Sequence, residues 1–438
     1  MKKDIKQTLP KGKKESWLRT FYNKEGTKSV ISSLLCIAAG IFVGWLVLLI
    51  LALTSDNIPV SDAFKGIRII LTGPFASGGI KNVAFVFGDM LVEVAPLLLT
   101  GLSVAIAFKT GLFNIGAPGQ YLMGAMGSII VALSIPTTPQ TAFFVWVLAL
   151  VVGTLCGMIW GLIPGIFKAF LNVNEVIVCI MTNWMAANIV SWVFKNNSQF
   201  INTAGGKTAY TLPTTANGVS TPKLGLDKLF PGSNIDIGIF IAIAVAIGVF
   251  ILLNKTTLGY ELKACGHNKN AAKYAGMNEK RNIMLSMAIA GGLAAAGASL
   301  YYLNGGAEFA WNTYSKLPDT GFNGIPVALL ASNNPIGVIF SSIFLRFIDK
   351  GGYNLAGFTA YNEYVSDLII AVIIYFAGFS MFIKGLLSKR RKAKAVAVTV
   401  ANAEAENAVG ADVAEIDASA DSDAEIDVND EKKEEADK

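Results

Sequence analysis

Long apolar segments separated by polar ones dominate this sequence. Most are close to the roughly 20 residues that an α-helix needs to cross a bilayer. They do not alternate at the period of a half-buried strand or a surface helix. The pattern predicts an all-α bundle of transmembrane helices. Apolar runs lie near residues 29–53, 84–108, 118–134, 141–167, 176–194, 235–254, 283–303, 324–348 and 364–387.

The charges at the two ends of the chain set the expected topology. Residues 1–28 hold nine Lys and Arg against three acids, and a second basic cluster begins at Lys389, after the last apolar run. Positive charge beside a span favours the cytoplasmic side, so both termini are predicted to be cytoplasmic. Two cytoplasmic ends require an even number of crossings. One of the nine runs must therefore contain two crossings or none.

The run at 324–348 is the one most readily divided. Ser332-Asn-Asn-Pro335 interrupts it with a turn signal, and Pro335 also removes a backbone donor. Division gives a descending segment near 318–331 and a returning one near 336–349. About ten crossings then follow, with a broken helix pair near 318–349. This topology also places Arg346, Asp349 and Lys350 on the external side, against the usual distribution of positive charge.

Three segments of different composition follow from this topology. Residues 1–28 form a basic cytoplasmic N-terminal segment, and residues 29–388 form the transmembrane domain. Within that domain, the polar stretch 195–234 is predicted to be an external loop, and the basic stretch 255–281 a cytoplasmic one. Residues 389–438 form a tail that is first basic and then acidic. The acidic part has too few apolar residues to fold alone, so the tail is expected to be a disordered cytoplasmic extension.

Composition supports the membrane class and excludes several chemistries. Hydrophobic residues make up 53% of the chain and charged residues 15%, against about 25% charged in soluble proteins. The four cysteines are scattered singly, and His267 is the only histidine, so the sequence predicts no metal site. Gly205-Gly-Lys-Thr208 resembles the end of a phosphate-binding loop but has Ile201 where the first glycine is needed. The chain is therefore expected to have no catalytic residues and no cofactor of its own.

Polar groups inside apolar runs mark a candidate substrate path. Glu93 lies within the second run, and an ionisable group there normally faces protein or water. Neutral amides beside flat aromatic rings suit a neutral polar ligand such as a nucleoside or a sugar. Amides bonded between helices and interfacial aromatic anchors are the alternative for each residue alone. The candidate substrate-path residues are Glu93, Phe113, Asn114, Gln120, Asn183 and Trp184.

Small residues repeat along two of the apolar runs. Gly153, Gly157, Gly161 and Gly165 are spaced by four residues, so they share one face of a helix. Such a face lets a second helix approach closely. Gly291, Ala295 and Ser299 form a looser stripe of the same kind. The stripes predict helix packing rather than recognition of a substrate.

Four ordered blocks resemble the nucleoside and simple-sugar permease subunits of bacterial ABC transporters, within the branched-chain amino acid and ribose-type permease superfamily. Phe113-Asn-Ile-Gly-Ala-Pro-Gly-Gln120 is similar to a family signature that usually has Glu where Pro118 stands. The other blocks are Asn174-Glu-Val-Ile-Val-Cys-Ile-Met-Thr-Asn183, Gly266-His-Asn-Lys-Asn-Ala-Ala-Lys-Tyr-Ala-Gly276, and Gly321-Phe-Asn-Gly-Ile-Pro-Val-Ala-Leu-Leu330 followed by Asn333-Asn-Pro335. The likeness spans about residues 85–385.

The resemblance implies an importer subunit in the bacterial cell membrane. Its expected partners are ABC ATPase subunits that use ATP, a homologous second permease, an extracellular lipid-anchored substrate-binding protein, and a nucleoside as substrate. A simple-sugar importer is the alternative within the same class, and an ion-coupled secondary transporter is the alternative from another class. The third block would be the segment that couples to the ATPase, through Gly266, Asn268, Ala271, Ala272, Tyr274, Ala275 and Gly276.

Overall fold

In a computed structural model of the chain, the structure describes residues 25–77 and 80–379, together with 382, 383 and 385. Extended backbone in this part forms only two isolated β-bridges, and the rest of the regular structure is helical. The predicted all-α fold is confirmed. The predicted acidic tail and residues 1–24 lie outside the described residues. The helices are α1 (Glu25–Thr54), α2 (Val60–Thr72), α3 (Ile80–Lys109), α4 (Ala117–Ser134), α5 (Ala142–Leu171), α6 (Glu175–Lys195), α7 (Leu226–Leu229), α8 (Gly238–Lys255), α9 (Thr257–His267), α10 (Lys269–Tyr274), α11 (Glu279–Leu303), α12 (Asp319–Leu330), α13 (Pro335–Phe358) and α14 (Glu363–Gly378).

Six of the described helices are long and apolar enough to cross a membrane: α1, α3, α5, α6, α8 and α11. Helices α3 and α11 form the centre of the bundle, since 78% of the apolar part of each is buried. Helix α1 is peripheral, with 22% buried. The remaining predicted crossings correspond to α4, which begins with the polar Pro-Gly-Gln turn, and to α12, α13 and α14, which are shorter or carry charged residues. These features identify a polytopic helical membrane protein.

Helices α1 and α14 run antiparallel. A Cβ atom added to Gly40 would lie 2.9 Å from the Cα atom of Ile373, whereas the Tyr361 hydroxyl, just before α14, donates to the Leu48 carbonyl at 2.7 Å. The start of α1 and the end of α14 therefore lie on the same side of the bundle. This arrangement agrees with the topology inferred from the basic charges at the two ends of the sequence.

The predicted broken helix pair is present as α12 and α13. The turn between them places Ser332 and Asn333 at φ values of 50° and 57°, and the Asn334 side chain caps α13 by accepting from the backbone N–H of Ile336 at 3.0 Å. Helix α13 nevertheless continues to Phe358, beyond the predicted end at 349. Arg346, Asp349 and Lys350 lie within this longer helix and face Glu93 of α3.

Helix α2 was not among the predicted elements. Its 13 residues are too few and too polar to be read as a crossing. The buried face contains Ala63, Gly66 and Ile70, and packs between α1 and α13. Asp62, also buried, accepts from the backbone N–H of Ala360 at 3.1 Å and ties the start of α2 to the loop after α13.

The two predicted stripes of small residues pack against each other. A Cβ atom added to Gly157 of α5 would lie 2.1 Å from the Cβ atom of Ala295 of α11. One added to Gly161 would lie 2.5 Å from the carbonyl oxygen of Met287. Helices α5 and α11 thus approach at the level of their backbones, which no larger residue at these positions would permit.

Candidate functional site

The irregular segment between α3 and α4 is held by buried amides. Asn114 donates through Nδ2 to the Ser103 hydroxyl at 2.9 Å and to Gln120 Oε1 at 2.8 Å. Gln120 returns a bond through Nε2 to Asn114 Oδ1 at 3.1 Å. Both side chains are almost completely buried. Because non-helical backbone at membrane depth must be satisfied within the protein, these bonds explain why the segment can be irregular.

Asn183 connects the same segment to α6. Its Oδ1 accepts from the backbone N–H of Gly119 at 2.8 Å, and its Nδ2 donates to the carbonyl of Ile115 at 3.0 Å. A Cβ atom at Gly119 would lie 2.9 Å from the Asn183 Cα atom, so α4 and α6 meet closely here. The candidates Asn114, Gln120 and Asn183 therefore belong to one connected set of hydrogen bonds.

A cavity of about 780 Å³ lies on the other side of this segment. It contains four tyrosine side chains and several charged ones. Its walls come from α3, α4, α11, α13, α14 and the segment that begins α12. The lining includes Glu93, Pro96, Tyr121, Tyr301, Tyr302, Asp319, Phe322, Asn323, Arg346, Asp349, Lys350, Tyr353 and Asp367.

Glu93 is the centre of an ion-pair cluster in this cavity. Lys350 Nζ lies 2.8 Å from Glu93 Oε1, and Arg346 lies 3.8 Å from Glu93 Oε2 and 2.7 Å from Asp349 Oδ2. Glu93 precedes Lys109 by 16 residues, so it lies about 24 Å along α3 from that end of the helix. Charges so deep in a span need partners or water. The cluster supplies the partners.

A second cavity of about 370 Å³ adjoins the first. Asn183 and Trp184 line it near the midpoint of α6, opposite the Lys316–Asp319 ion pair, whose charged atoms are 2.8 Å apart. Asp319 also lines the first cavity, as does Phe322. The side chains of Lys316 and Asp319 are 75% and 65% exposed. One continuous concave face thus presents charged groups at the depth of the middle of α6.

The predicted coupling segment consists of α9, α10 and the turns beside them. Asn268 caps α10 by accepting from the backbone N–H of Ala271 at 3.0 Å, and Ala272 is buried. Tyr274 is 94% exposed, and Gly276 has a φ of 81° with open space around it. A Cβ atom at Gly266 would lie 2.3 Å from the carbonyl oxygen of Lys109. The segment therefore packs directly against the end of α3.

A groove of about 800 Å³ lies beside the coupling segment. Tyr260, Glu261, Met277 and Arg281 are among the residues that line it. Glu261 accepts from Asn282 at 3.0 Å and pairs with Arg281 at 2.9 Å. The hydrogen bond from Asn282, assisted by the Arg281 charge, lowers the pKa of Glu261. The groove wall is thus a charged, hydrogen-bonded surface at the end of the bundle that carries Lys109.

At the opposite end of the bundle, Glu308 holds the loop that was predicted to be external. Its carboxylate pairs with Lys207 at 2.5 Å and accepts from Asn202 Nδ2 at 2.8 Å. The hydrogen bond from Lys207 is the main cause that lowers the pKa of Glu308. Residues far apart in the sequence are joined here, which orders the predicted loop at 195–234.

The six candidate path residues fall into four places. Glu93 lines the larger cavity, Asn183 and Trp184 line the smaller one, and Asn114 and Gln120 are buried between them. Phe113 stacks on Phe108 with ring centroids 5.2 Å apart, towards the coupling segment. Neither the four tyrosines nor the charged residues of α13 were among the predicted path residues. The spacing of Arg346, Asp349 and Lys350 by three and four residues was the available signal, because it places them on one helix face.

A bundle of membrane-spanning helices around a polar internal cavity is the arrangement expected of a membrane transport protein. The family described as "Branched-chain amino acid transport system / permease component" matches residues 86–400, and the chain belongs to it. The two cavities and the coupling segment lie within the matched region, whereas α1 and α2 precede it. No solved structure gives a significant match to the chain.

Several curated permeases are similar over most of their length. The chain is 34% identical to the guanosine ABC transporter permease protein NupP of Bacillus subtilis (strain 168), over 72% of this chain and 87% of that protein. It is 36% identical to the nucleoside ABC transporter permease protein NupB of Lactococcus lactis subsp. cremoris (strain MG1363), over 70% and 83%. The glucose ABC transporter permease protein TsgB13 of Haloferax volcanii is 29% identical, over 76% and 84%.

Proposed function

We propose that the chain is the transmembrane permease subunit of an ATP-driven ABC importer for nucleosides in a bacterial cell membrane. The observation that carries the proposal is the tyrosine-lined polar cavity at membrane depth. Tyrosine rings offer flat faces to a nucleobase, while carboxylate and hydroxyl groups offer bonds to ribose hydroxyls. The guanosine and nucleoside permeases at 34% and 36% identity support the same substrate class.

The larger cavity is the proposed substrate path, with Glu93 and the tyrosines as its contacts. Trp184 and Asn183 extend the path along the smaller cavity, and Phe113 lies towards its cytoplasmic end. Asn114 and Gln120 are placed in the path as residues that hold its irregular wall, because their amides already bond to one another. All six candidate residues thus keep a proposed role in the substrate path, some as contacts of the substrate and others as supports of the path wall.

A second permease is proposed to complete the path. Lys316 and Asp319 are exposed at the depth of the middle of α6, where contact with lipid would cost roughly 2.5–3.5 kcal/mol for each charge. Protein or a water-filled path removes most of that cost. A homologous permease facing this concave side would supply both. The two cavities would then be half of a shared passage between the two subunits.

The ABC ATPase subunits are proposed to dock at the coupling segment. Tyr274 projects from α10, and Ala271 and Ala275 lie beside it on this short helix and its end. Ala272 and Asn268 fix the helix, while Gly266 and Gly276 allow the close turns at its two sides. A short helix seated in a groove of a partner is an established recognition mode. ATP would be used by the partner, and this chain would transmit the movement.

An extracellular lipid-anchored binding protein is proposed to deliver the nucleoside to the external loop. The Glu308 contacts with Lys207 and Asn202 support a preformed docking surface there. Such a surface needs little reordering when a partner binds. The lipid anchor and the identity of that protein are part of the proposal.

A simple-sugar importer is the alternative favoured by one observation, the 29% identity to a glucose permease. An ion-coupled secondary transporter is a more distant alternative. Uptake of radiolabelled guanosine and uridine, in cells with and without the gene, distinguishes a nucleoside importer from a simple-sugar importer. We expect cells without the gene to lose an uptake activity that unlabelled nucleosides inhibit. Ribose and glucose should not inhibit it. Unchanged nucleoside uptake with loss of sugar uptake would instead assign a sugar.

The energy source is tested in the same cells. Depletion of ATP while the ion gradients are maintained should stop uptake, and collapse of the gradients while ATP is maintained should leave it largely intact.

The substrate path is tested with a pair of variants. Tyr301→Leu changes a residue that lines the larger cavity, and Tyr314→Leu is the control, because Tyr314 lines neither cavity. The first should lower uptake at equal membrane levels, and the second should not.

A further inference from the structure

A mostly apolar groove runs between α1 and α13, away from the substrate cavities. Its volume is about 550 Å³. Helix α1 forms one wall with Leu34 and Ile37, and α13 forms the other with Phe340 and Phe344. The turn between α12 and α13 closes one end. Phe340 is 69% exposed at the open side, so the groove is accessible laterally from the surroundings of the bundle.

The position of the groove assigns it to the cytoplasmic half of the membrane. Val338 of α13 lies against Gly101 of α3, whereas Lys350 meets Glu93, so α13 and α3 are antiparallel. The start of α13 therefore lies at the same end as Lys109, where the basic coupling segment packs. That end is cytoplasmic by the distribution of positive charge.

The polar side chains that line the groove are all occupied within the protein, and Ser341 of α13 donates to the Val327 carbonyl at 2.8 Å. Ser33 donates through its hydroxyl to the Leu330 carbonyl at 2.7 Å, and Asn334 is occupied in capping α13. Ser341 is buried, and the side chains towards the open side, Leu34, Ile37, Phe340 and Phe344, are aliphatic and aromatic. A ligand with a long apolar part and a polar end towards the cytoplasm fits this distribution.

We propose that this groove binds one acyl chain of a phospholipid from the cytoplasmic leaflet. The groove opens laterally at membrane depth, where acyl chains are the abundant apolar ligand. A second permease is a poorer occupant, because the α1 wall lies before residue 86, outside the region shared by the family, and the exposed charges lie on a different face. Helix α1 is also mostly uncovered, as expected for a helix that faces lipid.

The bound chain would support the turn that joins α12 to α13. Leu330, Ala331 and Asn334 form the end of the groove and also frame this turn. The same helix pair lines the larger cavity farther along, through Phe322 and Arg346. The groove is thus a lipid site that contacts the hinge of a cavity-lining element.

The test uses the permease purified with its partner subunits and reconstituted in nanodiscs of phosphatidylcholine and phosphatidylglycerol. A phospholipid with a diazirine in the middle of one acyl chain is the probe, and adducts are mapped by peptide mass spectrometry after irradiation. Labelling at Leu34, Ile37 and Phe340 should exceed, several-fold, labelling around Ile159, an exposed apolar residue of α5. Bulk lipid contacts both regions, so the excess reports a bound chain.

Ile37→Trp fills the groove and should reduce its labelling several-fold. Phe42→Trp is the control, because Phe42 is exposed on the same helix but does not line the groove. Leu34→Trp provides a second filled variant if Ile37→Trp does not elute as an intact complex. Labelling of the groove no stronger than that around Ile159, or labelling unchanged in the filled variants, would overturn the proposal. Absence of groove adducts because a protein covers the groove would overturn it equally.

Discussion

The contact between α5 and α11 yields the sharpest prediction of stability. Gly157→Ala adds one methyl group where the two helices are closest. That group would lie 2.1 Å from the Ala295 Cβ atom and 2.6 Å from the Gly291 carbonyl oxygen. Ordinary contacts begin near 3.4 Å, so the first distance is short by about 1.3 Å. Neither neighbour is the end of a flexible side chain, and the helices themselves must separate.

The magnitude follows from two opposing effects. Overpacking a well-packed interior costs roughly 1–3 kcal/mol, and backbone atoms as neighbours favour the upper end of that range. Alanine gains about 1 kcal/mol over glycine as a helix former. We therefore expect Gly157→Ala to destabilise the protein by about 2 kcal/mol. Gly248→Ala is the matched control in α8, because its added methyl group has no neighbour within 4 Å.

The assay is the apparent melting temperature in detergent, measured by size exclusion of a fluorescent fusion after heating. Gly157→Ala should melt several degrees lower than the parent protein, and Gly248→Ala should melt at the same temperature or higher. Adding Ala295→Gly to Gly157→Ala removes the closest contact but leaves the Gly291 carbonyl, so only part of the loss should return. Equal melting of Gly157→Ala and Gly248→Ala would refute the packing argument.

Three further predictions concern charged and exposed groups. Glu93→Gln leaves Lys350 without its carboxylate. The cost should be less than the ~3–5 kcal/mol of a fully buried pair, because the two side chains are 20% and 27% exposed; immunoblots should show less permease in the membrane, and adding Lys350→Gln should restore the level. Tyr274→Ala removes a side chain that is 94% exposed, so the melting temperature should stay constant while less ATPase copurifies; undiminished copurification would count against docking there. The pKa of Glu308 is lowered by Lys207, so the stability it adds is present above its ordinary value of 4.5 and is lost as the pH falls below it. Pepsin should cut the external loop increasingly over that fall in pH, and Lys207→Met should flatten the dependence.

The features predictable from the sequence were those that depend on nearby residues. The stripe from Gly153 to Gly165 identified a helix face at a spacing of four, and the looser stripe that includes Ala295 proved to be its partner. The turn at Ser332-Asn-Asn-Pro335 divided an apolar run where α12 gives way to α13. In each case the physical cause, a helical period or a residue that interrupts a helix, lies within a few residues of its effect.

The features missed from the sequence depend on contacts between distant residues. Lys350 was placed at the external end of a segment predicted to stop at 349, whereas its carboxylate partner Glu93 is 257 residues away in sequence. With that partner, α13 can continue to Phe358. The four cavity tyrosines come from three helices, and no local pattern brings them together. Helix α2 was missed for the same reason, because only its packing between α1 and α13 explains why its small residues lie on one face.

The packing of α12 gives a structural meaning to the proline in the first resembling block. A Cβ atom at Gly321 would lie 2.5 Å from the Pro118 Cα atom, and one at Gly324 would lie 2.7 Å from the Thr100 carbonyl. Helix α12 therefore closes the space between α3 and α4 beneath the larger cavity. Pro118 is in the first turn of α4, where a missing backbone N–H breaks no helical hydrogen bond. An apolar contact here takes the place of the usual carboxylate. The contact between Gly321 and Pro118 thus holds α12 against the first turn of α4.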